Sequence, residues 1–380
     1  MRIVLIGGGS GGHFYPLIAV AEAIEDICLE RTLLEPELYY IGPPAFDAEA
    51  LLEHDIVYIP GSVGKMRRYP SVLNVLSVFS NAIGIIRSTL QLFRLYPDAI
   101  FSTGGYASFP TLYAARILRI PVIIYDADAV PGRVSLWSST FARYIGLAHP
   151  DAAEKFPKKV HGKIARIGHP IRKEIIAPTK EGGHEFLHLN PSIPTIFIMG
   201  GSQGARAINE VVLDALPELV SEFNVVHQAG TANLKETSDI SSVILKNSRF
   251  AEHYKIFGLL NTLALRMAAG ISSLVVARAG SGTIFEIASW GLPSILIPIP
   301  KDVSHDQIEN AFSYARSGAS AVVEQQNLTP HLLVSEIRRV MGDEALRSKM
   351  AGAARAFARP DAARKIATML LEISIAHEPV

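Results

Sequence analysis

The chain has 380 residues, 49% hydrophobic and 19% charged, and its formal net charge is zero. That length supports two domains, each able to bury its own core, while the neutral balance gives no electrostatic footprint for nucleic acid. The single cysteine, Cys28, excludes an internal disulfide or a cysteine metal cluster and points to a reducing compartment, and no segment offers the ~18 apolar residues of a membrane-spanning helix.

The first predicted element is a strand, Ile3-Val4-Leu5-Ile6, too short for a signal-peptide core. A glycine run, Gly7-Gly8-Gly9-Ser10-Gly11-Gly12, leads into a helix opened by His13 and carrying Leu17, Ile18, Val20, Ala21, Ile24 and a buried Cys28. Strand, glycine turn and helix make the first unit of a βαβ fold. Bare N–H groups and the positive dipole end at such a helix start attract phosphate; a tight turn with no ligand is the plainer alternative. The spacing Gly7-x-Gly9-x-x-Gly12 also fits a dinucleotide fingerprint. However, the second strand, Leu38–Ile41, ends in Gly42-Pro43-Pro44 and lacks the acid that holds a nicotinamide ribose.

A helix over 46–54 and a strand over 56–59 follow. From Gly64 to Pro97 the chain carries Lys65, Arg67, Arg68, Arg87 and Arg94 and no acid. Val72, Val75, Leu76, Phe79, Ile83, Ile86, Leu90 and Phe93 recur there at helical spacing. Two readings stand: an amphipathic helix lying on an anionic membrane surface, or a crossover helix packed on the sheet. Strand 99–102 ends at Thr103-Gly104-Gly105-Tyr106, and strand 121–125 ends at Asp126-Ala127-Asp128. Short strands at 144–148 and 165–167 complete a first domain. The polar stretch Lys180-Glu181-Gly182-Gly183-His184 reads as a linker.

The second half repeats the plan. Strand 195–199 runs into Gly200-Gly201-Ser202-Gln203-Gly204 and a helix over 205–216. Strand 224–227 ends at Gln228-Ala229-Gly230. Strand 274–277 ends at Arg278-Ala279-Gly280-Ser281-Gly282-Thr283 before a helix bearing Glu286, and strand 294–298 ends at a loop over 299–306 and a helix with Gln307 and Asn310. A last helix, from Pro360, carries Ile366, Met369, Leu370 and Ile373. The fold class is α/β: two Rossmann-like, doubly wound parallel sheets facing across a cleft. The expected boundaries are 1–168 for a first domain, 169–359 for a second, and 360–380 for a helix packing back on the first.

Gly8-Gly9-Ser10-Gly11-Gly12-His13-x-x-Pro16, Gly104-Gly105-Tyr106, Gly200-Gly201-Ser202-Gln203-Gly204-Ala205-Arg206 with Asn209, Arg278-x-Gly280 with Thr283 and Glu286, and Gln307-x-x-Asn310-Ala311 occur together and in this order. The series resembles the MurG family, the peptidoglycan N-acetylglucosaminyltransferases that form lipid II. The resemblance implies a GT-B fold and an inverting transferase of cell-wall biosynthesis, with UDP-GlcNAc as donor and undecaprenyl-diphosphate-MurNAc-pentapeptide (lipid I) as acceptor. It further implies peripheral attachment to the cytoplasmic face of the membrane and no essential cofactor or metal. A related UDP-sugar transferase with another acceptor, a UDP-GlcNAc epimerase and a non-catalytic nucleotide-sugar binder are the alternatives.

The resemblance assigns donor contacts to Ser202 and Gln203 (diphosphate and sugar), Gly282 and Thr283 (phosphate and ribose), Glu286 (ribose hydroxyls), Gln307 (sugar) with Asp306 beside it, and Arg172 (near the nucleotide). Ser10, Gly11 and Gly12 are further substrate-binding candidates, and Tyr106 falls in the acceptor-side loop. Thr283-x-x-Glu286 also fits a capping box. His13 is the candidate base, since a helix N-terminus disfavours the charged ring and a neutral imidazole can take a proton from an attacking hydroxyl. Charge on the leaving UDP would be met by the helix after Gly201. One departure stands out: where the family has His-Glu-Gln-Asn, this chain has Tyr125-Asp126-Ala127-Asp128. Asp126 keeps the family's carboxylate and is the second catalytic candidate; Asp128 exchanges an amide for a charge on the acceptor side. Asp126-x-Asp128 also mimics a metal-binding pair.

Overall fold

A computed structural model describes residues 1–61, 72–201, 204–304 and 306–377. They form two units: residues 1–172 with 359–380, and residues 173–358.

The first unit contains β1 (Arg2–Ile6), α1 (Gly11–Arg31), β2 (Glu37–Gly42), α2 (Ala48–Glu53), β3 (Val57–Pro60), α3 (Val72–Leu95), β4 (Ala99–Ser102), α4 (Phe109–Leu118), β5 (Val122–Asp126), α5 (Arg133–Ser138), β6 (Tyr144–Leu147) and β7 (Ile164–Arg166). Every strand pair is parallel, in the order β3-β2-β1-β4-β5-β6-β7. A parallel sheet covered on both faces needs apolar residues at consecutive positions. Ile3–Ile6, Ala99–Phe101 and Val122–Tyr125 are accordingly all buried. The strand order reverses between β1 and β4, so the loops after these two strands flank the switch point, where open α/β sheets bind ligands.

The second unit contains α6 (Lys173–Ile176), α7 (Gly183–Phe186), β8 (Thr195–Met199), α8 (Arg206–Glu222), β9 (Asn224–Gln228), α9 (Leu234–Leu245), β10 (Tyr254–Phe257), α10 (Thr262–Ile271), β11 (Ser272–Ala277), α11 (Ser281–Trp290), β12 (Ser294–Leu296), α12 (Gln307–Ala315), β13 (Ser320–Val322), α13 (Pro330–Met341) and α14 (Glu344–Phe357). Its parallel sheet runs β10-β9-β8-β11-β12-β13, with the switch between β8 and β11. The chain then returns to the first unit as α15 (Ala362–His377), which packs on α1 and beside β4. Ile366, Leu370, Leu371 and Ile373 are buried there, and Arg364 pairs with Glu30.

Three differences from the sequence reading have clear causes. The polar stretch 180–184 is not a linker: it turns into α7 inside the second unit, where Gly183 lies so close to α10 that a Cβ would stand 2.6 Å from Ile271. Helix α8 runs on through Pro217 to Glu222, because Leu213, Leu216, Leu219 and Val220 bury one continuous stripe. In α3, Gly84, Ser88 and Leu92 are buried, whereas Ile83, Ile86, Leu90 and Phe93 line an exposed stripe beside exposed Arg87 and Arg94. Lys65, Arg67 and Arg68 lie outside the described residues.

Candidate active site

His13 stands in the first turn of α1. Ser10 is the N-cap and its carbonyl accepts the His13 and Phe14 N–H groups, both at 3.0 Å. The half-buried His13 ring turns toward the end of β4, with Nδ1 2.8 Å from the Thr103 carbonyl oxygen. A carbonyl only accepts, so Nδ1 carries a proton, and in the neutral ring Nε2 is the nitrogen with the lone pair. The Thr103 hydroxyl donates back to the His13 carbonyl at 2.7 Å, so one residue after β4 fixes both ring and backbone. Glycine is required around this ring. A Cβ at Gly7 would stand 2.6 Å from the Thr103 hydroxyl, and one at Gly8 would stand 2.8 Å from His13 Cδ2.

Ser10, Gly11 and Gly12 start the same helix, with Ser10 and Gly12 exposed. Tyr106, 47% exposed, follows the Gly104-Gly105 turn of β4. Asp126 ends β5 and is buried. Its carboxylate accepts the Gly132 N–H at 3.1 Å, the Asp128 N–H at 3.3 Å and a bond from the Ser135 side chain. These oxygens therefore hold the 126–132 loop and the start of α5. Asp128 is half-buried in that loop. Arg172, the last residue before the second unit, lies 4.3 Å over the Tyr15 ring, a cation–π contact.

Burial, helped by the Asp128 charge, pushes the Asp126 carboxyl up to about 7. Burial holds two neutral rings down at about 3: His169, which shares a 2.7 Å bond with the Tyr125 hydroxyl, and His227. Below about pH 6.5 the unfolded chain takes up a proton at each histidine, so their stabilisation is full above that pH and is lost as pH falls toward 3. Asp126 runs oppositely: its contribution is full below about pH 4 and is lost as pH rises through about 7. Near pH 5 it therefore offsets one histidine. Asp126→Asn should enlarge the fall in Tm between pH 7 and pH 5, by the equivalent of up to about 2–3 kcal/mol. An identical fall in both proteins would show that Asp126 does not titrate in that range.

In the second unit the switch-point loops follow β8 and β11. Ser202 and Gln203 lie outside the described residues; Gly201 and Gly204 beside them take positive φ, 79° and 76°. Helix α8 starts only at Arg206, capped by Ala205, with Arg206 paired to Glu210 at 2.9 Å. Like α8, whose N-cap Ala205 offers no side-chain bond and whose first turn holds no acid, α11 has an N-terminus suited to an anion. Gly280 is its N-cap, no side chain caps it, and no acid sits in its first turn. Gly282 and Thr283 are its second and third residues, so Thr283 is no N-cap and the capping-box alternative fails. Glu286, half-buried, comes one turn further in.

Gln307 opens α12 after Asp306, a half-buried N-cap residue with no side-chain capping bond. The Gln307 amide oxygen accepts the Ala279 and Ile299 N–H groups, both at 3.2 Å, which leaves its NH₂ as the end available for a ligand. Asn310, one turn on and fully buried, donates to the Ala279 carbonyl at 3.4 Å. The pair thus grips both sides of Ala279 and sets the loop into α11. Thr103 and the buried grip of Asn310 were not assigned as site features from the sequence. The i, i+3 spacing of Gln307 and Asn310 was the available signal for the second; a backbone acceptor such as Thr103 leaves none. Among the described residues, no group of three or more His, Cys, Asp or Glu could hold a metal ion.

Two family models match the chain: the glycosyltransferase family 28 N-terminal domain over residues 3–147 and the C-terminal domain of the same family over 195–366. The UDP-N-acetylglucosamine–N-acetylmuramyl-(pentapeptide) pyrophosphoryl-undecaprenol N-acetylglucosamine transferase of Treponema denticola is 35% identical, over 97% of this chain and 96% of that protein. The protein of the same name from Legionella pneumophila is 36% identical over 89% and 88%. The crystal structure of Acinetobacter baumannii MurG superposes with a TM-score of 0.73 at 23% identity, covering 98% of this chain and 99% of that one, a likeness of fold.

Proposed function

Because the chain belongs to glycosyltransferase family 28, we propose that it transfers N-acetylglucosamine from UDP-N-acetylglucosamine to undecaprenyl-diphosphate-MurNAc-pentapeptide, forming lipid II with inversion at the anomeric carbon. The observation that carries this reading is the relation to transferases of that name across nearly the whole chain. The first unit supplies the acceptor side. His13 Nε2 takes the proton of the acceptor hydroxyl as its oxygen attacks the sugar C1. The bond from C1 to the phosphate oxygen breaks, and UDP leaves with the electron pair. The second unit supplies the donor side. The N–H groups at the start of α11 meet the diphosphate charge, Glu286 accepts from the ribose hydroxyls, and the Gln307 NH₂ faces the sugar. Asp126 acts by holding the acceptor loop, and Asp128 faces the acceptor.

The reading is tested by incubating the protein with UDP-N-acetylglucosamine and a short-chain lipid I analogue. UDP release that requires both substrates, with a disaccharide product, is expected. UDP release or an epimerised sugar without acceptor would overturn it.

The same reading sets the protein on the cytoplasmic face of the membrane, held peripherally. No helix among the described residues is long and apolar enough to cross a membrane. Support comes from the exposed Ile83, Ile86, Leu90 and Phe93 stripe of α3 beside Arg87 and Arg94. Binding to vesicles should require anionic lipid and weaken with salt, and should fall when Lys65, Arg67 and Arg68 become glutamine or Phe93 becomes alanine. Binding indifferent to lipid charge would leave α3 as a crossover helix only.

A further inference from the structure

A buried polar chain crosses the second unit beneath its first switch loop. Tyr254 on β10, His227 on β9 and Asn209 on α8 are 8%, 0% and 3% exposed. The Tyr254 hydroxyl lies 2.8 Å from His227 Nδ1, and His227 Nε2 lies 3.1 Å from Asn209 Oδ1. The Asn209 amide nitrogen lies 2.9 Å from the Ala229 carbonyl oxygen. The direction of every bond follows from the last. The Ala229 carbonyl can only accept, so the Asn209 NH₂ must face it and Oδ1 must face the ring. Oδ1 also only accepts, so the His227 proton is on Nε2. Nδ1 then carries the lone pair and accepts from the tyrosine O–H. The ring stays neutral, since burial holds it far below the usual histidine range.

Three polar side chains in a core are costly unless each is satisfied, and apolar residues of the same size would serve packing equally well. What the chain reaches explains its presence. Ala229 O also accepts from Asn233 at 3.2 Å, and Gly204 rests directly on it: a Cβ there would stand 2.4 Å from Ala229 O and 2.4 Å from Asn233 Nδ2. Gly204 closes the glycine turn, its N–H bonded to Gly201 O at 3.0 Å, just before α8.

We propose that Tyr254, His227 and Asn209 are positioning residues for the donor diphosphate: they fix the Ala229 carbonyl, which in turn seats Gly204 and the open N-terminus of α8 that follows it. This rests on the donor reading of the second unit given above. None of the three need touch the nucleotide. The effect should travel from Tyr254, two strands away from the turn on β8, through a fully directed set of hydrogen bonds.

The test uses the full chain with Tyr254→Phe, which removes one hydroxyl at nearly constant volume, and Asn209→Ala, which removes the last link. Leu245→Ala, a buried core truncation with no polar atom on the chain, reports the effect of lost stability alone. Tyr254→Phe should raise the UDP Kd and the donor KM about three- to ten-fold, the equivalent of one neutral hydrogen bond. Acceptor KM should stay unchanged. Amide exchange of a peptide covering 204–209 should speed up in Tyr254→Phe and Asn209→Ala but not in Leu245→Ala. Equal UDP affinity and equal exchange in Tyr254→Phe and the unaltered protein would overturn the proposal, as would matching changes in Leu245→Ala. If the unaltered protein fails to bind UDP, the donor reading falls, and the exchange experiment still decides whether the network holds the turn.

Discussion

Replacing His13 by alanine is expected to lower kcat by about 10²–10⁴ while leaving UDP affinity close to that of the unaltered protein. The size is that of a lost general base. The selectivity follows from the division of labour: His13 belongs to the first unit, whereas the α11 N-terminus, Glu286 and Gln307 all belong to the second. The geometry sharpens the expectation. Thr103 O fixes the Nδ1–H tautomer, so Nε2 is the only ring nitrogen able to accept. Gly8→Ala should give a milder version of the same defect, since its Cβ would press on His13 Cδ2 and turn the ring away from Thr103. Isothermal calorimetry with UDP and initial rates at saturating donor measure both quantities. Normal turnover by His13→Ala would remove the base assignment.

Gly204→Ala should damage both the stability and the UDP affinity of the second unit. Its backbone is left-handed, which costs an L-residue ~1–2 kcal/mol. The added Cβ would also meet a backbone oxygen and an amide nitrogen that cannot both retreat, since Ala229 O is held by Asn209 and Asn233. A total of about 2–4 kcal/mol is expected, with UDP affinity reduced at least ten-fold. Thermal melting and calorimetry together are the check. Unchanged Tm with unchanged affinity would mean that the turn relaxes freely and that Gly204 is not seated as described.

The sheets were legible because parallel strands buried on both faces write themselves as apolar runs: Ile3–Ile6, Ile196–Met199 and Leu274–Ala277 need no further context. The glycine loops were legible as strand-to-helix turns because their strands precede them directly. Elements between Gly230 and Leu274 were not legible. Strand β10 is half-exposed over Lys255–Phe257, and α9 is mostly polar outward, so neither writes an unbroken apolar pattern. Within the site, residue types were readable but their partners were not. Thr283-x-x-Glu286 matches a capping box letter for letter, and only the location of the N-cap at Gly280 separates the readings. Asp126 reads as a catalytic carboxylate, and the sequence does not show that its oxygens accept from two N–H groups of its own loop and from the Ser135 side chain on α5. Arg172 reads as a nucleotide contact, and its packing on the Tyr15 ring leaves no mark in the sequence. Such bonds depend on where loops fold back, which no periodicity records.

The return of the chain through α15 has a consequence for biosynthesis. Residues 173–358 are interposed between β7 and the helix that covers α1. During translation the second sheet is therefore complete, and able to bury its core, before the first unit receives Ile366, Leu370 and Ile373. The part of the molecule made first is finished last. A nascent chain halted after Phe357 would carry an intact second unit beside a first unit with a bare apolar flank on α1, an exposed surface of the kind that chaperones recognise and that aggregation exploits. Damage to α15 should accordingly be felt at α1, the helix that carries His13 some 350 residues upstream, rather than at the neighbouring sequence.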